Sequence, residues 1–143
     1  MEMKVRIRVP LNPTEDEEKV KNAILNIFPD ASMKIEEDVI IAETTDLKNL
    51  KELLEKQRIR DTARDVFMSS IVENHIIFKI NKQVATIGRV NFSVSEGPLG
   101  DIEVDIEAEE GENVNEIINY LAPSTLPPNV EPKRLSDDDL LDL

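Results

Sequence analysis

Hydrophobic and polar residues alternate along much of this chain with a period of two, which is typical of strands that bury one face. This pattern occurs at residues 3–9 and 33–35, a short apolar run at 39–42 also indicates a strand, and the alternation returns at 75–80 and 101–108. Glu36, Glu37 and Asp38 separate the second and third of these segments, which predicts a hairpin. Asn81-Lys82 is a second expected hairpin turn, and it leads into a strand over residues 84–90.

Three other regions repeat their hydrophobic residues with the helical period of 3.6. The first helix is expected to begin at a capping box formed by Thr14 and Glu17. Asp46 is the expected cap of the second helical region. The last region, residues 112–121, precedes a proline that stops it.

The second helical region changes phase in its middle. Its hydrophobic residues run to Leu54 and resume at Ile59, where the apolar face has shifted by about 140°. An apolar residue is due at position 57 or 58, but Gln57 and Arg58 stand there. We therefore expect a break near residues 56–59, with two helices meeting at it.

The predicted order over residues 1–122 is β-α-β-β-α-α-β-β-β-α. This order indicates an α+β fold, a two-layer sandwich of a mostly antiparallel sheet with helices packed on one face. Residues 93–100 are expected to form a loop. Residues 123–143 hold four of the eight prolines and the run 137–139 of three aspartates, which predicts a disordered acidic tail.

Composition removes several classes of function. The 143 residues include no cysteine, one histidine and four scattered glycines, which excludes disulfides, thiolate chemistry and a glycine-rich phosphate loop. No apolar run approaches the roughly 18–20 residues of a membrane helix, and the N-terminus lacks a signal-peptide core. The sequence therefore predicts a soluble cytoplasmic protein that has no cofactor and does not contact membranes.

The acidic residues of the last expected strand are candidates for chemistry. Asp101, Glu103, Asp105 and Glu107 alternate with hydrophobic residues, so they could bind Mg²⁺ or act as an acid and a base. A solvated strand face is the favoured interpretation, with all four carboxylates exposed. His75 has no expected partner, and no nucleophile or oxyanion hole is evident. We expect neither an enzyme nor a metal site.

Charge is unevenly distributed along the chain. The net charge is −13, but residues 1–47 carry −5, residues 48–92 carry +4 and residues 93–143 carry −12. Such an asymmetry can place a nucleic-acid surface beside an acidic tail. A salt-bridged, solvated surface would give the same composition.

Three basic sets are candidate contacts to phosphate, since arginine can grip phosphate with a bidentate fork. The first is a helix stripe of Lys56, Arg60 and Arg64, with Arg58 at the break. The second surrounds the expected hairpin and comprises Lys79, Asn81, Lys82, Gln83, Arg89 and Asn91. The third is Arg6 and Arg8 on the first strand.

Each set also has an intramolecular interpretation. The helix stripe could pair with the acidic strand or with residues 137–139, the hairpin could be an ordinary polar turn, and the strand could carry a salt-bridged face. Phe92 is the one reasonable candidate for stacking on a base, and a core position suits it equally well.

Four stretches carry a resemblance to a known family: VRIRVPLNPTED at 5–16, AILNIFPDA at 23–31, RIRDTAR at 58–64, and INKQVATIGRVNF with PLGDIEV within 80–104. They resemble a small archaeal family of uncharacterised, predicted RNA-binding proteins that is sometimes catalogued as exosome-associated. Its fold is similar to that of the large-subunit ribosomal protein that binds 5S ribosomal RNA. The resemblance covers residues 3–123 and implies no catalytic residues.

Together these observations predict a non-catalytic protein that contacts phosphates of structured RNA, without a preference for DNA. The alternative is a protein-interaction or assembly module, either a homodimer or a subunit of an exosome-like complex, without direct RNA contact. The acidic tail would then either shield the basic surface or bind a protein partner.

Overall fold

The computed structural model describes residues 3–93 and 100–124. Its elements are β1 (Met3–Pro10), α1 (Glu17–Ile27), β2 (Ser32–Glu36), β3 (Val39–Thr44), α2 (Lys48–Lys56), α3 (Arg60–Ser69), β4 (Ile71–Val72), β5 (His75–Ile80), α4 (Lys82–Ala85), β6 (Ile102–Ala108) and α5 (Val114–Leu121). The strands form one antiparallel sheet in the order β2-β3-β1-β6-β5-β4. The α+β class, the antiparallel sheet and most of the expected order are confirmed.

The sheet is buried on one face and open on the other. On β1, Val5, Ile7 and Val9 are fully buried, whereas Lys4, Arg6 and Arg8 between them are exposed. β6 repeats this pattern with buried Ile102, Val104 and Ile106. The buried face packs against the helices, since the apolar residues of α1, α2, α3 and α5 belong to the same core. The two central strands thus expose a charged face on the side away from the helices.

The expected break between two helices lies where the sequence places it. α2 ends at Lys56, and the N–H groups of Arg58 and Ile59 donate to the carbonyls of Glu55 and Leu54 at 3.1 Å each. This is the Schellman pattern of a helix end, in which the first residue beyond the cap takes a left-handed conformation. Arg58 takes it with a φ of 57°, at a position that usually holds glycine.

Two expectations about helix starts and hairpins are wrong in detail. The side chain of Asp16, not Thr14, caps α1 by accepting from the Glu18 N–H at 3.0 Å. The expected hairpin at Asn81-Lys82 is the start of α4, because Asn81 accepts a capping hydrogen bond from the Val84 N–H at 2.9 Å.

The expected strand at residues 84–90 is wrong: after α4 the chain meets β5 at Phe92, in an isolated antiparallel bridge to Ile80. β5 pairs with β6 on one side and with the two-residue strand β4 on the other. No sequence pattern indicates β4, because Ile71 continues the apolar pattern of α3. The loop expected at 93–100 and the acidic tail expected at 123–143 lie mostly outside the described residues.

Candidate nucleic-acid interface

A groove lies between the α2–α3 junction and the segment that follows α4. Its volume is about 560 Å³, and it is lined by Gln57, Ile59, Thr62, Val84, Ile87, Arg89, Val90, Asn91 and Phe92. Gln57 joins its two walls: the side-chain Nε2 donates to the Val90 carbonyl at 2.9 Å, and Oε1 accepts from the Val90 N–H at 2.8 Å. This paired contact brings together two segments that are more than 30 residues apart in the chain.

Four basic residues belong to the segments that form this groove. Arg89 lines the groove and is exposed. Lys56, Arg58 and Arg60 alternate in sequence with the lining residues Gln57 and Ile59. Residues 56–60 and 82–91 contain no acidic residue. We name these four, Lys56, Arg58, Arg60 and Arg89, the basic groove cluster.

Arg64 is placed differently from the other members of the expected stripe. Its Nη1 donates to Asn119 Oδ1 at 2.8 Å and to the Ala122 carbonyl at 3.0 Å, at the end of α5. A side chain that satisfies a helix C-terminus is held by its own fold. Lys56 and Arg60 lie on different helices, so the single helical stripe is wrong. Of that set, Lys56, Arg58 and Arg60 belong to the α2–α3 junction beside the groove.

Lys82 is buried, with 3% of its side chain exposed. Its Nζ donates to the Pro10 carbonyl at 2.6 Å and to Glu15 Oε1 at 2.9 Å. Burial alone would raise the pKa of Glu15, but hydrogen bonds from Asn12 and Lys82 outweigh it and lower that pKa. The ammonium group expected at a hairpin tip therefore anchors α4 to the end of β1.

The other residues of the expected hairpin set are divided between two places. Asn81 caps α4, and its N–H donates to the Asn91 carbonyl at 2.7 Å. Gln83 is exposed on α4, and Asn91 lines the groove. Lys79 lies on β5 opposite Glu103, on the open face of the sheet. The structure thus brings Arg89 and Asn91 to the α2–α3 junction and places Lys79 elsewhere.

The open sheet face is charged but balanced. Lys4, Arg6 and Arg8 on β1 lie opposite Glu107, Asp105 and Glu103 on β6. Arg6 Nη1 lies 3.1 Å from Glu107 Oε1, and His75 Nδ1 lies 2.7 Å from Asp105 Oδ1. The strand register adds Lys34 and Lys79 as cations and Glu36 and Glu43 as anions, which makes five of each sign. Arg6 and Arg8 therefore stand beside carboxylates of their own sheet.

The acidic strand is less exposed than expected. Glu103, Asp105 and Glu107 are half-buried. Asp101 was expected to be exposed, but only 8% of it is, because it precedes β6 where Gly100 approaches Pro10 closely. Within residues 3–93 and 100–124, no group of three histidine or acidic side chains could hold a metal ion.

Sequence reasoning missed the role of Gln57. The signal was present as a polar residue at a position where the helical period required an apolar one. Its partner could not be found from sequence, because the contact is to the backbone of Val90 and any residue there offers the same groups. Phe92 is half-buried, packs against the core and lines the groove. Its stacking on a base stays a prediction.

These features define a small α+β protein that has an open antiparallel sheet and a basic groove on its helix side. A family described as RNA binding matches residues 4–109, and the chain belongs to this family. The resemblance to an archaeal family described as RNA-binding is thereby confirmed. None of the helices in the described part of the chain is long and apolar enough to cross a membrane.

Archaeal relatives support the same assignment. The chain is 41% identical over 128 residues to a UPF0201 protein of Methanothermobacter thermautotrophicus, which covers 87% of this chain and 95% of that protein. It is 40% identical over 131 residues to a UPF0201 protein of Sulfolobus acidocaldarius, which covers 85% of this chain and 88% of that protein. A crystal structure of a UPF0201 protein from Methanococcus jannaschii is similar, with a TM-score of 0.81 at 43% identity. The match covers 86% of this chain and 95% of that one.

Proposed function

We propose that this protein binds RNA without catalysis and that the basic groove cluster contacts the RNA phosphates. The observation that carries the proposal is the double hydrogen bond between Gln57 and Val90, which holds Arg89 beside the α2–α3 junction. The family description, RNA binding, supports the class of ligand.

Electrostatics favours this groove over the other basic positions. The protein as a whole has a charge of −13, so long-range attraction to RNA is absent and binding depends on a local cluster. Residues 56–60 and 82–91 carry five basic residues, of which Lys82 is buried, and no acid; Asp61 is the acidic residue next to the lining residue Thr62. On the open sheet face, by contrast, each basic side chain of β1 has a carboxylate opposite it on β6.

Charge reversal within the groove tests the proposal. A variant with Arg58→Glu, Arg60→Glu and Arg89→Glu should lose RNA binding, measured by fluorescence anisotropy on a pool of random RNA oligonucleotides. The matched control carries Lys19→Glu, Lys34→Glu and Lys48→Glu, which are exposed and lie outside the groove lining. Both variants change the net charge by the same amount, so control binding near the wild-type level assigns the loss to the groove. Equal losses in both variants would contradict the proposal.

A second candidate function rests on the open sheet face. Its five cations and five anions are balanced, and half-buried Ile41 and exposed Ile77 lie among them. A neutral, partly apolar sheet face suits a protein partner better than a polyanion. The partner would be a second copy of the chain or a subunit of a larger, exosome-like complex. Light scattering across a salt series tests the homodimer. A mass equal to one chain at every salt concentration would contradict it.

A further inference from the structure

We propose that the groove holds an unpaired RNA base, so that the protein selects single-stranded or looped RNA over a continuous duplex. This inference rests on the proposed function and names the form of RNA that the site accepts. It differs from the expected contact with phosphates of structured RNA, because the groove offers an apolar surface as well as a cation.

The apolar part of the groove is exposed where a base could reach it. Ile87 is 72% exposed, which is the largest value among the large hydrophobic residues of the described chain. It shares the groove lining with Ile59, Val84 and Val90. Exposing an isoleucine to water brings no stability to the fold, and a base placed on it would remove that apolar surface from water.

Phe92 supplies a ring at the same groove. Its centroid lies 5.6 Å from that of Phe67 and 5.8 Å from that of Phe78, both in edge contacts. These contacts fix the ring orientation, while Phe92 remains half-buried and lines the groove. Aromatic and apolar side chains of this kind bind the faces of unstacked bases, whatever their sequence.

Polar groups for a base edge are also present. Thr62 and Asn91 line the groove, and neither side chain has a hydrogen bond within the described part of the chain. Gln57 cannot serve, because both ends of its amide are bonded to Val90. The volume of about 560 Å³ is within the range of sites for small organic ligands.

Charge selects RNA over other occupants of an apolar groove. Arg89 lies in the lining beside Ile87, and no acidic residue is among the lining residues, so a fitting occupant has both an apolar face and negative charge. A nucleotide combines these in one unit. A duplex keeps its bases stacked and paired, and it can offer this groove only its phosphates. An acidic peptide is the competing occupant, for which residues 131–143 of this chain are the natural probe.

A single tryptophan tests the inference directly, because the chain contains none. Ile87→Trp should show quenched fluorescence on addition of a ten-nucleotide oligouridylate, and little change with a blunt twelve-base-pair RNA duplex. Ile35→Trp is the control, since Ile35 is also exposed but lies on β2 at the far edge of the sheet. Quenching of both tryptophans, or of neither, would overturn the base-binding groove.

Affinities separate this inference from the proposed function. Ile87→Ser should weaken oligouridylate binding by about five- to tenfold and leave duplex binding unchanged, since one base contact is worth about 1 kcal/mol or more. Arg89→Gln should weaken both ligands. If Arg89→Gln acts and Ile87→Ser does not, RNA binding stands and the base-binding groove fails. If neither acts, or if a peptide of residues 131–143 binds where RNA does not, the proposed function fails as well.

Discussion

The side-chain amide of Gln57 forms two hydrogen bonds with the backbone of Val90, one to its carbonyl at 2.9 Å and one from its N–H at 2.8 Å. Because the amide bonds to both the N–H and the carbonyl of Val90, it satisfies the two groups that a neighbouring strand would otherwise pair. It therefore fixes the distance between the α2–α3 junction and Arg89, which belong to the two walls of the groove.

Gln57→Leu should destabilise the fold by about 1–3 kcal/mol, because it leaves the half-buried N–H and carbonyl of Val90 without partners. RNA affinity should fall with it, since the basic segments are no longer held together. Urea unfolding measures the first effect and anisotropy the second. Gln83→Leu, on the exposed side of α4, is the control and should change stability by less than about 0.5 kcal/mol. Equal stability of the two variants would contradict the role of Gln57.

Arg58→Gly should stabilise the protein while weakening RNA binding. The φ of 57° costs a non-glycine residue about 1 kcal/mol, and glycine removes that cost. Arg60→Gly is the matched variant, since it removes the same charge from the first turn of α3 and should destabilise by up to about 1 kcal/mol. If Arg58→Gly raises the midpoint of thermal unfolding without lowering RNA affinity, Arg58 is not a phosphate contact.

Arg64→Leu should destabilise the protein without weakening RNA binding, which is the opposite of the result expected for Arg58→Gly. It removes the hydrogen bonds to Asn119 and Ala122, which costs about 1–3 kcal/mol, and it should leave the RNA affinity of the folded protein near wild type. Denaturant unfolding and anisotropy on the same preparation measure both quantities. A folded Arg64→Leu protein that no longer binds RNA would restore Arg64 to the binding surface.

The ion pair of Lys82 and Glu15 should make stability depend on pH in the acid range. The folded-state pKa of Glu15 lies below its ordinary value of 4.5, so the unfolded chain binds more protons in that window. Its contribution is present above pH 4.5 and is lost as the pH falls through the folded pKa. Glu15→Gln should therefore flatten this part of the profile of unfolding free energy against pH. A profile with the wild-type slope would show that Glu15 does not titrate in this way.

Removing the cation of Lys82 should lower the free energy of unfolding more than neutralising Glu15 does. Lys82→Met leaves the Glu15 carboxylate largely buried without its partner, which is expected to cost about 3–5 kcal/mol. The double variant Lys82→Met, Glu15→Gln should recover part of that loss. Additive losses in urea unfolding would contradict direct coupling between the two side chains.

Much of the fold could be predicted because its main signals are local. Period-two alternation defined β1, β5 and β6, and the phase change after Leu54 located the junction of α2 and α3. Residues 84–90 were mistaken for a strand because Val84, Thr86 and Ile87 favour one locally. The side chain of Asn81 instead caps α4, which begins at Lys82, and the chain returns to the edge of β5 at Phe92.

The site was harder to predict because charge spacing does not reveal partners. Lys56, Arg60 and Arg64 look equivalent at intervals of four residues, but Arg64 meets the end of α5 from a distant part of the chain. Lys82 follows Asn81 in a pattern typical of a turn, but in the fold its ammonium group contacts Glu15 and Pro10. Conversely, Arg58 and Arg89 are far apart in sequence, and the contact of Gln57 with Val90 brings their segments together.

The salt dependence of RNA binding tests the central proposal most directly. For single-stranded RNA, each phosphate contact adds about 0.7 to the slope of log affinity against log salt concentration. Replacing Arg58, Arg60 and Arg89 together with glutamine should therefore reduce the slope by about 2. The same substitution of Arg6, Arg8 and Lys34 on the open sheet face should leave the slope unchanged. A wild-type slope in the groove variant, or a loss confined to the sheet-face variant, would contradict the assignment of RNA binding to the groove.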